Sequence, residues 1–101
     1  MFAGFYLLAE YAKGLFQTRN SSGVPTTADA APSFRVYGDS ATPLATGTSS
    51  GFDAGNVTGF YQWSVLLDAG AGFTRGRLYT VRGQWQVSSV VYTESQVFFI
   101  Q

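Results

Sequence analysis

The sequence predicts an all-β chain, a single antiparallel β-sandwich of about seven or eight short strands. Three observations carry that reading. Apolar and polar residues alternate with period two along several stretches, no run of a dozen residues carries a helical stripe, and clusters of Gly, Ser, Asn and Asp recur at near-regular intervals. A chain of 101 residues suffices for one core, so the expectation is one domain over 1–101, with 1–12 reading either as an apolar arm or as an edge strand.

Taken in order, Phe5 to Tyr11 is the first candidate strand. Propensity alone also allows a short helix over Tyr6 to Lys13, but Gly4 and Gly14 bracket it too closely for a long one. Leu15 to Arg19 reads as the next strand and ends at the turn signal Asn20-Ser21-Ser22-Gly23. Phe34 and Val36 alternate with Arg35 and Tyr37, and a short strand is expected near Leu44 to Thr48. The segments Ser21 to Pro32 and Asp39 to Gly55 are rich in Gly, Ser, Thr, Ala and Pro and read as loops or extended arms.

Farther along, Tyr61, Trp63, Val65 and Leu67 share one face, with Gln62 and Ser64 opposite. A turn is expected at Asp68 to Gly72. Tyr79, Val81, Trp85 and Val87 then fall on the buried face of a strand over Leu78 to Val87, with Thr80, Arg82, Gln84 and Gln86 outside. Gly83 shares the inner face, where a missing side chain implies a bulge or the close approach of a large neighbour such as Trp63. A turn is expected at Thr93-Glu94-Ser95, and Val97 to Gln101 reads as a terminal strand that must be paired or covered. The predicted core is Phe34, Val36, Tyr61, Trp63, Val65, Tyr79, Val81, Trp85 and Val87.

Composition narrows function. The chain has neither His nor Cys, which removes the Ser-His-Asp triad, the Cys nucleophile, the disulfide and the commonest metal ligands. Aromatic residues reach 17% while charged residues are only 12%, and six basic and six acidic groups cancel. No long-range field gathers nucleic acid or anionic membrane, so neither is expected as a partner. The apolar run Phe2 to Ala9 is far shorter than the roughly 20 residues that span a bilayer.

The carboxylates Glu10, Asp29, Asp39, Asp53, Asp68 and Glu94 are the only acid-base groups at hand, and most sit where Asp caps a turn through its own backbone. Asp53 and Asn56 lack the dense alternating ligands of a calcium loop. Gly70, Gly72 and Gly76 around Arg75 precede a strand, not a helix, and read as a hairpin connection and not a phosphate loop. Arg75, Arg77 and Arg82 lie near Tyr79 and Trp85, but Arg82 points away from the aromatic face, which splits any nucleic-acid platform. Arginine suits protein interfaces through its planar fork. The expectation is therefore a protein that works by contact, with no catalytic residue, cofactor or metal. Its interface candidates are Phe2, Phe5, Leu7, Arg75 and Arg77.

The stretches Leu8 to Gly14, Phe16 to Thr27, Ala31 to Tyr37, Asn56 to Tyr61 and Gly72 to Val81 resemble a recurring pattern in small accessory virion proteins of tailed bacteriophages. The resemblance implies an immunoglobulin-like sandwich that is made in the host cytoplasm and incorporated into the virion. It further implies a non-enzymatic capsid decoration or cement protein on the major capsid protein lattice, with self-association, as in a trimer at a local threefold. The alternatives are a tail, neck or baseplate adaptor of the same particle and a carbohydrate-binding module, which would need an exposed row of Trp and Tyr.

Overall fold

The structure, a computed structural model, describes residues 1–101, the side chain of Ala54 excepted. Eight strands form in chain order: β1 Phe2–Tyr6, β2 Tyr11–Gln17, β3 Ser33–Tyr37, β4 Ala45–Thr48, β5 Ser50–Gly51, β6 Phe60–Leu66, β7 Arg77–Val87 and β8 Val90–Ile100. Single 3-10 turns at Phe52–Gly55 and Ala69–Ala71 bracket β6. The strands make a five-stranded sheet, β1-β8-β7-β3-β4, and a three-stranded sheet, β2-β6-β5. The chain crosses between the two at β1 to β2, β2 to β3, β4 to β5 and β6 to β7, the strand order of an immunoglobulin-like sandwich.

Every strand pair is antiparallel except β1 with β8, where the first and last strands run parallel from Phe2 beside Val97 to Tyr6 beside Ile100. The expectation of a wholly antiparallel sandwich is corrected there. Parallel pairing lets the chain's first strand seal part of the β8 edge without a hairpin to join them.

All nine expected core residues are buried, together with Ala12, Phe16, Leu67, Phe73, Phe98 and Ile100. Two glycines allow that packing. Phe16 lies over Gly83, where an added Cβ would come within 2.5 Å of its ring, and the Trp63 indole lies over Gly14 at the same distance. Gly83 thus receives a large neighbour as expected, but the neighbour is Phe16; Trp63 is taken up by Gly14 on the adjacent strand β2.

Side-chain hydrogen bonds hold the crossings. The Tyr79 hydroxyl, near the start of β7, accepts from the Thr74 amide at 2.7 Å, as in the tyrosine corner of immunoglobulin-like sandwiches. Asp29 accepts the amides of Ser88 and Ser89 at 3.0 and 2.9 Å, tying the β2–β3 loop to the β7–β8 turn. Those two serines hold φ of 50° and 66°, and they form the tight connection of the long hairpin.

Several expected boundaries move. The first strand ends at Tyr6 and a turn occupies Leu7 to Glu10, with Ala9 at φ 70° and the Glu10 carboxylate accepting the Leu7 amide. Of the expected strand Leu15 to Arg19, only Leu15 to Gln17 belongs to β2, which begins earlier at Tyr11 and stops at Gln17, and Arg19 forms an isolated bridge to Pro25. Thr93-Glu94-Ser95 is no turn: it lies mid-strand in β8, each residue paired with β7. The terminal strand is therefore eleven residues long and interior to the sheet.

A candidate protein-docking face

The outer face of the large sheet is built from alternate residues of β1, β8, β7 and β3, and strand register arranges them in rows. One row runs Phe5, Phe99, Leu78; the next runs Phe2, Val97, Thr80, Tyr37. Phe5 is 62% exposed and Leu78 59%, with Phe2 also exposed and Phe99 half-buried between its neighbours. Phe2 meets Phe5 edge to face at 5.0 Å between ring centroids, and Phe5 meets Phe99 at 5.9 Å. The following rows are Ser95, Arg82 and Arg35, then Thr93, Gln84 and Ser33, with the exposed Val91 beside Gln86 at the far end of the face. One corner of this face is thus apolar and uncharged, and a pair of directly opposed guanidiniums borders it.

Phe2 and Phe5 are brought into this corner as neighbours. Leu7 stands exposed in the turn just past β1, at the end of the same surface. The other two interface candidates serve the chain itself: Arg77 forms an ion pair with Asp39, and Arg75 Nε donates to the Gln101 carbonyl at 3.1 Å. Each is held beside the apolar corner by a partner in its own chain. Leu78 and Phe99 complete the corner and were absent from the sequence candidates. Their signal was parity, since even positions of β7 point outward with Thr80 and Arg82.

The carboxylates behave as turn clamps. Asp68 accepts the Gly70 amide, Glu10 the Leu7 amide and Asp29 the serine pair, while Asp39 engages Arg77. Among the described residues no three His, Cys, Asp or Glu side chains gather as metal ligands. Both Trp side chains are buried, so they form no exposed row for a sugar. No helix is long and apolar enough to cross a membrane.

Glu94 is the exception among the carboxylates. It lies half-buried in a groove between the edges of the two sheets, lined also by Phe2, Ala3, Gly14, Leu15 and Gln96. Burial raises its pKa above the ordinary 4.5, and the Gln96 side chain and the N-terminal ammonium offset part of that rise. The folded state then binds the Glu94 proton more tightly than the unfolded chain does. Its contribution to stability is full below the ordinary value and is lost as pH rises through the raised one. Glu94→Gln is therefore expected to raise the melting temperature at neutral pH and to leave it unchanged well below pH 4.5. Thermal melts of both proteins across that range check it, and equal differences at both ends would refute it.

In comparisons with known proteins, no family model, no curated protein and no solved structure matches the chain.

Proposed function

We propose that this chain is a non-enzymatic docking module, a small structural protein of a phage virion that seats on the major capsid lattice and stabilises the shell. The observation that carries the docking part is the apolar corner formed by Phe2, Phe5, Leu78 and Phe99, set off by the polar rows of Ser95, Arg82 and Arg35 and of Thr93, Gln84 and Ser33 on the same sheet face. Such a patch, with a polar rim and aromatic anchors, has the composition of a protein interface. The virion part rests on the resemblance of the turn-and-strand segments. Weak single contacts repeated over a lattice supply the avidity such a protein needs.

The expected result is that the protein co-sediments with capsid particles, and that Phe5→Asp with Leu78→Asp abolishes binding while the circular dichroism spectrum stays that of the folded protein and the melting temperature falls only modestly. Both side chains lie outside the core, so the loss is confined to surface contacts such as those of Phe5 with Phe2 and Phe99. Quantitative mass spectrometry of purified particles gives the location. Copies in simple ratio to the shell protein mean decoration, a few dozen or fewer mean a neck, tail or baseplate adaptor, and absence from the particle overturns the virion reading.

A further inference from the structure

β8 is paired with β7 along its whole length, but on its other side β1 covers only Val97 to Ile100. The amides of Val97 and Gln101 point to β1, donating to Met1 and Tyr6 carbonyls at 2.8 and 2.9 Å. Backbone direction alternates along a strand, so the N–H and C=O groups of Val91, Thr93 and Ser95 face that same side, where no strand meets them.

The other sheet edges are guarded. On β2 the Tyr6 hydroxyl donates to the Lys13 carbonyl at 2.8 Å and accepts from its amide at 3.3 Å, and a lysine side chain stands there as well. β1 is broken by a register shift between Phe2 and Gly4, with Gly4 at φ 132°. β4 has four residues and β5 two. Bulges, lysines and short strands are the usual protections against edge pairing. The Val90 to Gln96 stretch of β8 has none of them: no Pro, no Lys, no Gly, and a single charge at Glu94.

We propose that this open edge is a homodimer interface, in which β8 pairs antiparallel with β8 of a second copy about a twofold axis through Thr93. In that register Thr93 faces Thr93, Val91 faces Ser95, and Tyr92 faces Glu94. All three free amides and all three free carbonyls find partners, because the outward-facing groups sit symmetrically about Thr93. A Thr–Thr pair at the centre is favourable on a sheet. Two copies of zero formal net charge approach without long-range repulsion. The interface is isologous and closes at two copies, joining the two five-stranded sheets edge to edge.

The axis stands perpendicular to the sheet, so both apolar corners face the same way. Only this last consequence rests on the docking reading: the dimer presents two copies of the Phe5 and Leu78 corner to one flat partner.

Analytical ultracentrifugation from low-micromolar to sub-millimolar concentration tests the pairing. Wild type is expected to form a dimer. Thr93→Lys sets two ammonium groups opposite each other at the axis and is expected to raise the dissociation constant by about a hundredfold or more. Thr93→Pro removes the central amide, which makes no bond within the chain, and is expected to do the same. Far-ultraviolet circular dichroism should show both variants folded, and Thr93→Lys carries the test if the proline variant does not fold. A wild type that stays monomeric overturns the proposal. So does a Thr93→Lys protein that associates like wild type. If Phe5→Asp with Leu78→Asp is what dissolves the dimer, the docking face and not the β8 edge is the contact. A dimer that dissociates on Thr93→Lys but never binds particles sinks the docking reading and leaves this one standing.

Discussion

Gly14→Ala is expected to destabilise the protein by about 3 kcal/mol, roughly 15 °C in melting temperature for a chain of this size. The usual effect of this substitution in a strand has the opposite sign, since alanine restricts the unfolded chain and removes the entropic penalty of glycine. Sterics decide the outcome here. An alanine Cβ would sit 2.5 Å from Cε2 and Nε1 of Trp63, and the Trp63 indole is wholly buried. To make room the ring must tilt, which pulls Nε1 off Gln96 Oε1, now 3.0 Å away. The cost is therefore overpacking plus a buried hydrogen bond. Urea unfolding of Gly14→Ala, Trp63→Phe and the double variant separates the two explanations. The smaller ring should absorb the methyl, so the double variant should be scarcely less stable than Trp63→Phe alone. Simple additivity would show that the loss has nothing to do with the indole.

The same contact shows what a single sequence can and cannot reveal. Alternation placed Trp63, Trp85, Tyr79 and Val81 inside, because the period of a strand is a local property and burial of one face follows from it. That Gly83 accepts a ring was also legible. Which ring it accepts was not: Phe16 of β2 covers Gly83 of β7, which depends on how the two sheets slide over each other, and Trp63 covers Gly14, its partner across the β2–β6 ladder, which depends on register; no strand encodes either relation within itself.

Turns divided along similar lines. Asn20 to Gly23 carries the residues a turn wants and forms one, with Asn20 Oδ1 accepting the amides of Ser22 and Val24. Thr93-Glu94-Ser95 has turn-like composition only because Thr93 and Ser95 lie on the solvent face of β8. The real reversal, Ser88-Ser89, adopts positive φ without Gly or Asn, and it is held by Asp29 from a loop 59 residues away in sequence. A turn stabilised from afar leaves no local signature.

The docking corner followed the same rule. Phe2, Phe5 and Leu7 stood out as an apolar run at a chain end, a linear feature. Phe99 joins them because β1 pairs parallel with β8, and Leu78 because β7 pairs with β8. Arg75 and Arg77, also read as interface residues, have partners in their own chain that only the fold brings up, the Gln101 carbonyl and Asp39.

Gln96→Leu is expected to cost about 3 kcal/mol, although it places a more hydrophobic residue in a buried site. Gln96 projects from β8 in the large sheet and is 1% exposed. Its Oε1 accepts from Trp63 Nε1 on β6, and its Nε2 donates to the Leu15 carbonyl on β2 at 2.7 Å. One amide thus joins both neighbouring strands of the small sheet to the large one, a polar tie between the layers of a sandwich that has no cysteine to cross-link them. Leucine leaves a buried indole N–H without a partner, which costs about 1–3 kcal/mol, and strips the part-buried Leu15 carbonyl of its donor at a smaller cost, together more than the leucine methyls return. Trp63→Phe removes one of those orphans in advance. In the Gln96→Leu background it should therefore cost clearly less than it does in wild type, a coupling of about 1–2 kcal/mol in a double-mutant cycle by chemical denaturation. A coupling near zero would mean that Gln96 stabilises the sandwich by filling space, and that the two sheets are held together by packing alone.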